Sequence, residues 1–428
     1  MEPPAVTHRE SYSRLGNAAV AMLVIMVGCL HFAWMSTSDW RAYVATPLYL
    51  WTAFIALSAQ CDTPSIKHRP KLVVDAVIAC LADDLGRLRT VLDSMAAQTI
   101  PPRTLYVIQN GGENNEVKRV FEEWATSPAA TKIARVVFWT QAEPDKRQAH
   151  ELAIRDTDAD ILLMVDSKTR LDPYAIDEGL RAFGDSKVRS VGGLLIHERL
   201  VTSQRSLLAR LLGLSFEASY MHDKAAFSRY GSVTVNRGGL AFVRTAVARD
   251  ILPYYLSEEV AGQRVTRGDD RKLTLAAASG GKTVFQETCV GYIPHPSTLK
   301  TASRRYTQWW RTFWPSNLSL LRQFPPSRAI WRLSLLQSIM FVLHALVIPV
   351  ALIDALVTSN ALWPVLGYIV LMGYLRFVRT LAIRRPDQAF VAQAASFVLL
   401  APLTALLELW TYVALMWYGM ATVRRTAW

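Results

Sequence analysis

"ADILLMVDS", residues 159–167, decides the fold. Its apolar run, residues 161–165, stops abruptly at a carboxylate, Asp166. So short a run, without polar alternation, reads as a strand buried on both faces. Strand and helix signals alternate on its N-terminal side. "KLVVDAVIACL" (71–81), "TLYVIQN" (104–110) and "ARVVFWT" (134–140) read as strands. "DDLGRLRTVLDSMAAQ" (83–98), "EVKRVFEEWA" (116–125) and "KRQAHELAIRD" (146–156) read as the helices between them. Such alternation predicts an α/β domain with a mostly parallel sheet covered on both faces. Open sheets of this kind bind ligands at the carboxyl ends of their strands. Three of these strands deliver polar residues there: Gln109-Asn110, residues 143–146, and Asp166.

This domain lies between apolar segments. The chain has 428 residues, 51% hydrophobic, with a formal charge of +12, which fits neither a disordered protein nor an ordinary soluble enzyme. Residues 15–35 and 42–61 contain no Asp, Glu, Lys or Arg. Each is about as long as a helix must be to cross a bilayer. A second run following almost at once, and no small-residue cleavage pattern, argue against a signal peptide. Two more runs, residues 333–353 and 357–375, come late in the chain. A last one, residues 389–420, has Glu408 as its only charge and Pro402 near its middle. As one helix it would be roughly 48 Å long, more than an upright crossing needs. It reads as a tilted kinked helix, or as a hairpin or re-entrant pair.

"IKHRPK" (66–71) and "RFVRTLAIRRP" (376–386) are basic, whereas "STSDWR" (36–41) and "DALVTSNA" (354–361) hold one Arg between them. The positive-inside rule then places residues 62–330 in the cytosol. The basic C-terminal "VRRTAW" favours an even number of late crossings, and with it the hairpin. No span shows paired charges or the Gly/Pro breaks of a midplane site, which argues against a transporter. The four cysteines have no metal-ligand spacing and imply no disulfide framework.

The polar strand ends suit a nucleoside diphosphate. Asn110 is placed to hydrogen-bond a base or ribose, Lys146 and Arg147 to neutralise phosphate at a helix start, and Asp166 to hold a divalent cation. Each taken singly also fits a turn, a solvated face or a cap. "VTRGDDRKLTLAAASG" (265–280) poses a similar choice, because adjacent acids at a helix start are favoured by the helix dipole.

The order of motifs resembles the membrane-embedded family-2 glycosyltransferases, the hyaluronan, chitin and cellulose synthase group, over residues 72–314. "DKRQA" (145–149) is similar to the phosphate-binding Gly-Lys-Arg-x-Ala, and "VDSKTRLDP" (165–173) to Asp-Ser-Asp-Thr-x-Leu-Asp-Pro. Residues 206–244 are similar to the stretch ending in the acceptor-side Ser-Gly-Pro loop, which puts Gly238 at the substrate. "GDDRKLT" (268–274) is similar to Gly-Asp-Asp-Arg-His-Leu-Thr, "PSTLK" (296–300) precedes an interfacial helix as in that group, and "YGMATVRRTAW" resembles its C-terminus.

The resemblance implies that Asp270 is the general base, with Asp269 beside it and Arg271 orienting it or stabilising the diphosphate. It also implies Mg2+ or Mn2+ at Asp166. Lys168 stands in place of the second aspartate, would supply positive charge itself, and weakens the case for a metal. Gln109-Asn110 stand where the family carries Asp. "RYTQW" (305–309) has Arg305 and Gln308 in exchanged places relative to Gln-x-x-Arg-Trp. Trp309 is retained, suited to stacking on an acceptor sugar. With Arg304, Arg311 and Arg322 among aromatics, residues 299–324 have the composition of an interfacial helix.

The expected organisation is an N-terminal tail with two membrane helices (1–61), a cytosolic GT-A-like domain (62–298), interfacial helices (299–330) and a C-terminal membrane region of three to four segments (331–428). The expected function is inverting transfer from a nucleoside diphosphate sugar, UDP-linked, to a growing glycan exported through an integral protein of the cell (inner or plasma) membrane. A non-processive enzyme with a lipid-linked acceptor and a degenerate, non-catalytic partner of a polysaccharide complex are the alternatives. The lipid bilayer is an expected partner and nucleic acid is not.

Overall fold

The computed structural model describes residues 10–59, 70–80, 85–113, 115–198, 206–260, 263–264, 268–294, 298–358, 362–383 and 390–423. Most of the basic stretches that orient the chain, residues 66–69, 384–386 and 424–428, lie outside these, as do residues 265–267 and 295–297.

The expected strands form: β1 (Val74–Cys80), β2 (Thr104–Asn110), β3 (Arg135–Gln141) and β4 (Ile161–Asp166). They continue with β5 (Arg170–Leu171), β6 (Val188–His197), β7 (Leu240–Arg244), a two-stranded ribbon of β8 (Glu259–Val260) with β9 (Gln263–Arg264), and β10 (Lys282–Ile293). The eight-stranded sheet has the order β3-β2-β1-β4-β7-β6-β10-β5. Its β3-β2-β1-β4 half is parallel throughout. The other half is mixed, because β7 runs antiparallel to both β4 and β6. Burial explains the unbroken apolar runs. Ile161, Leu163 and Val165 face one core, while Leu162 and Met164 face the other with Val77, Tyr106 and Ile108. Helices cover both faces, so alternate residues of β4 are all buried.

Five helices are long and apolar enough to cross a membrane: Gly16–Met35, Trp40–Ala59, Ala329–Thr358, Leu362–Ala382 and Phe390–Ala421. Their outer surfaces expose large apolar side chains, Trp363 at 81% and Val391 at 79% among them, as a protein bathed in water rarely does. The Ala329–Thr358 helix runs into the expected "DALVTSNA" loop, so the next helix begins at Leu362 rather than at residue 357.

The hairpin expected over residues 389–420 does not form. The chain is helical from Phe390 to Trp410, passes through a π-turn at Thr411–Met416, and ends as helix at Trp417–Ala421. Contacts with the Leu207–Ala218 helix and the interfacial helix hold it along its length. Arg210 reaches Ser396, Ser215 donates to Glu408, and Arg311 donates to Thr422. Gln393 donates to the carbonyls of Thr380 and Ile383 near the start. The helical path therefore continues through these residues without a reversal. The interfacial helix forms as expected, Leu299–Gln323.

Candidate active site

The site is assembled where β4 ends. Asp166 terminates that strand beside Ala79 of β1, and Leu240 of β7 pairs with Val165. The antiparallel entry of β7 thus delivers the Gly238-Gly239 loop onto the carboxyl end of β4. A Cβ on Gly238 would lie 3.2 Å from both Asp269 Oδ2 and Lys146 Nζ, and one on Gly239 3.4 Å from Asp166 Oδ2. The two glycines let the backbone settle on three charged side chains.

Asp269 and Asp270 arrive from the Asp269–Gly280 helix. Gly268 precedes it at φ 73°, a left-handed conformation that favours glycine and turns the acids inward. Lys146 Nζ lies 2.6 Å from Asp166 Oδ1 and 3.4 Å from Asp269 Oδ2. Burial opposes the charge on Lys146, but the two carboxylates outweigh it and raise its pKa. Asp270 accepts from the backbone N–H of Arg271 at 2.7 Å and of Gly238 at 3.4 Å. Burial, then the charge of Asp269, push the Asp270 carboxyl above its ordinary value. Burial also acts on Asp269, but Lys146, His150 and Arg147 overcome it and hold that carboxyl below its ordinary value. The surroundings thus push the two adjacent carboxyls in opposite directions.

Several expected roles change. Arg147, expected to neutralise phosphate, is 1% exposed and turned into the protein. It donates to the Tyr255 carbonyl at 2.8 Å and pairs with Glu258 at 2.7 Å, anchoring the turn that presents Lys146. Asp145 caps the same helix by accepting from the backbone of Arg147 and Gln148. Asp166, expected to hold a divalent cation, is ion-paired with Lys146. Lys168 follows in the next turn, half-buried, and among the described residues no three His, Cys, Asp or Glu side chains are grouped to hold a metal. Asp166 would offer one carboxylate to a divalent ion, whose remaining oxygens would come from phosphate and water. Asn110 is buried at the end of β2 with its side-chain oxygen unpaired among the described residues, as a ligand contact requires.

Trp309 stacks on Phe216 with ring centroids 6.0 Å apart. Arg237, absent from the expected set, packs beside the pair: its guanidinium is 4.5 Å from the Trp309 ring, 4.4 Å from Phe216 and 5.0 Å from Tyr220. Arg305 and Gln308 are half-buried on the same helix as Trp309. A cavity of about 190 Å³ opens here, lined by Trp309, Arg237, Arg271 and Lys224 among others. A second, of about 80 Å³, lies among the apolar helices and shares Asp223, Phe341, Arg376, Glu408 and Tyr412 with the first.

At that junction Arg376 pairs with Asp223 at 3.0 Å and Glu408 at 2.6 Å. Paired charges between candidate spans were not expected. Each apolar segment carries only one of them, and Asp223 is 153 residues from Arg376, so the sequence had no local signal for the cluster.

The chain belongs to a glycosyltransferase family: residues 70–312 match the family described as glycosyltransferase like family 2. Among its curated relatives is the hyaluronan synthase of Streptococcus pyogenes, 29% identical over 83% of this chain and 82% of that protein. Another is an N-acetylglucosaminyltransferase of Rhizobium meliloti, 26% identical over 85% of this chain and 82% of that one. The fold is similar to that of the mannosyltransferase PcManGT from Pyrobaculum calidifontis, solved in complex with GDP-Man and Mn2+. The TM-score is 0.55 at 14% identity, covering 96% of this chain and 99% of the other.

Proposed function

We propose that the chain is a membrane-integrated, inverting transferase that builds a polysaccharide from a nucleoside diphosphate sugar, UDP-linked, and passes the product between its apolar helices. The observation that carries this reading is the position of Asp270, with Lys146, Asp166 and Asp269 on one side and a Trp309-lined cavity toward the apolar helices on the other. Asp270 takes the proton of the acceptor hydroxyl, and the freed oxygen bonds to the anomeric carbon of the donor. The bond from that carbon to the diphosphate breaks, and its electron pair leaves with the diphosphate. Attack from the face opposite the leaving group inverts the anomeric centre.

Lys146 belongs to the donor side, and Asn110 to the base or ribose. Trp309 offers a face for an acceptor sugar. The Arg376–Asp223–Glu408 cluster stands where a growing chain would leave the catalytic cavity. The relatives' names, hyaluronan synthase and N-acetylglucosaminyltransferase, support a polymer or oligomer of hexose units. The proposed division is unchanged: residues 62–298 catalytic and cytosolic, 299–330 interfacial, and the rest in the cell membrane. The test is release of nucleoside diphosphate by the purified protein in detergent, given a panel of UDP- and GDP-sugars, with products sized by gel. No release from any donor refutes the transferase reading. A single added sugar favours the lipid-linked acceptor over a polymer.

A further inference from the structure

His150 lies one helical turn after Lys146, on a face otherwise given to the core residues Ala149, Ala153 and Ile154. It is 1% exposed, and burial pushes its pKa down to about 4, so the ring is neutral. Its Nδ1 lies 3.0 Å from Tyr255 Oη, the tip of a side chain that is itself buried, and 4.0 Å from Asp269 Oδ2. That carboxylate oxygen is buried, has no hydrogen-bond partner among the described residues, and meets the Lys146 ammonium at 3.4 Å.

A buried histidine bonded to a buried tyrosine is ordinarily a settled piece of core. The Asp269 carboxylate sets this one apart. A buried carboxylate oxygen without a hydrogen bond is costly, and His150 is the ring that comes nearest to relieving it. A neutral imidazole carries one ring proton, and the anion beside Nδ1 favours that atom. The Nδ1–H then serves the Tyr255 oxygen and the carboxylate together, while Tyr255 fixes the plane of the ring. Asp269 in turn holds the Lys146 ammonium, which Asp166 holds at 2.6 Å. Lysine is a point charge on a flexible four-carbon stem, and it binds a phosphate best when that stem is already ordered.

We propose that His150 and Tyr255 are positioning residues for the donor: they fix the Asp269 carboxylate, and Asp269 with Asp166 aims the Lys146 ammonium at the diphosphate. When Lys146 shares its charge with the phosphate, the Nδ1–H remains as a donor to Asp269. The proposal rests on the transferase reading and goes beyond it. Both side chains are too deeply buried to touch the substrate, and neither belongs to the motifs that suggested the site.

The experiment is calorimetry of UDP and GDP with the full-length protein in detergent, with uridine and guanosine as probes without phosphate. His150→Leu is expected to weaken the better diphosphate about 3- to 10-fold and to leave nucleoside binding unchanged. Asn puts its amide nitrogen near the place of Nδ1, so His150→Asn should recover most of the loss. Tyr255→Phe keeps the ring and the backbone carbonyl that Arg147 uses, and should cost less than His150→Leu in the same direction. In a Lys146→Ala background, His150→Leu should change the affinity by less than about twofold, because the residue acts through that ammonium. The proposal is overturned, and the transferase reading left intact, by any of three results for His150→Leu: diphosphate affinity equal to wild type, nucleoside binding lost in step with diphosphate binding, or the same loss when Lys146 is absent. A wild-type protein that binds neither diphosphate refutes both.

Discussion

Replacing Asp270 by Asn tests the proposed chemistry most directly. The Asn side chain has the shape of Asp, and its carbonyl oxygen can still accept from the Arg271 N–H, now 2.7 Å from Asp270 Oδ1. It cannot hold the acceptor's proton. Removal of a general base costs about 10²–10⁴ in rate. Nucleoside diphosphate binding should not weaken, because the exchange deletes an anion near a site that must take another. Stability follows the pKa. Burial and Asp269 raise the carboxyl of Asp270, so the folded state holds this proton more tightly than the unfolded chain does. The group's stabilising contribution is complete below the unfolded pKa and is lost as pH rises through the folded one. At neutral pH the ionised Asp270 is a net cost, so Asp270→Asn should melt no lower than the wild type. The wild-type rate should fall as pH drops through the raised pKa, and the residual rate of the variant should lack that limb. The assays are diphosphate release across pH, calorimetry with UDP, and a melting curve in detergent. Turnover within threefold of wild type, or an unchanged acid limb in the variant, would refute the assignment of Asp270.

Lys146→Ala removes the ammonium shared by Asp166 and Asp269; calorimetry should show diphosphate binding weakened by about 1.5–3 kcal/mol, and unchanged affinity would reduce "DKRQA" to a helix start. Gly238→Ala introduces a methyl group 3.2 Å from Lys146 Nζ and Asp269 Oδ2, so release assays should show at least about a tenfold loss with little change in melting. Trp309→Ala should raise the half-saturating acceptor concentration about 2- to 10-fold through lost stacking, an effect visible in initial rates at varied acceptor. Arg376→Met leaves Asp223 and Glu408 without their cation; a loss on the order of 3 kcal/mol should lower the melting temperature, and Arg376→Lys should restore part of it.

The apolar run before Asp166 predicted a strand because it is buried on both faces, and β4 forms there with its two cores on alternate residues. The strands and helices around it were legible for the same reason: hydrophobic period is a local property of the chain. Arg147 was misplaced because a charge beside a phosphate-binding lysine has the same local signature whether it faces a ligand or, as here, Tyr255 and Glu258. Arg237 carries no signal in the sequence because it sits in a loop and its partners, Phe216, Tyr220 and Trp309, come from helices that meet it only in the fold. Loop charge favours a hairpin over a tilted helix for the last apolar run because it counts sides of a membrane. It does not count reversals, and a helix held along one flank by Arg210, Ser215 and Arg311 needs none.

The sequence by itself determined the α/β class, the apolar helices on either side of the domain, and the acids and cations from which a site could be built. Periodicity and run length depend only on neighbours along the chain, so they can be read without coordinates. Tertiary structure decided which of those charges meet. The antiparallel entry of β7 lays Gly238 against Asp270, the turn at Gly268 brings Asp269 and Asp270 to the same strand end, and Arg376 finds Asp223 and Glu408 across three segments. The energy of a charge depends on its burial and on partners brought from distant parts of the chain, and those are set only when the chain packs.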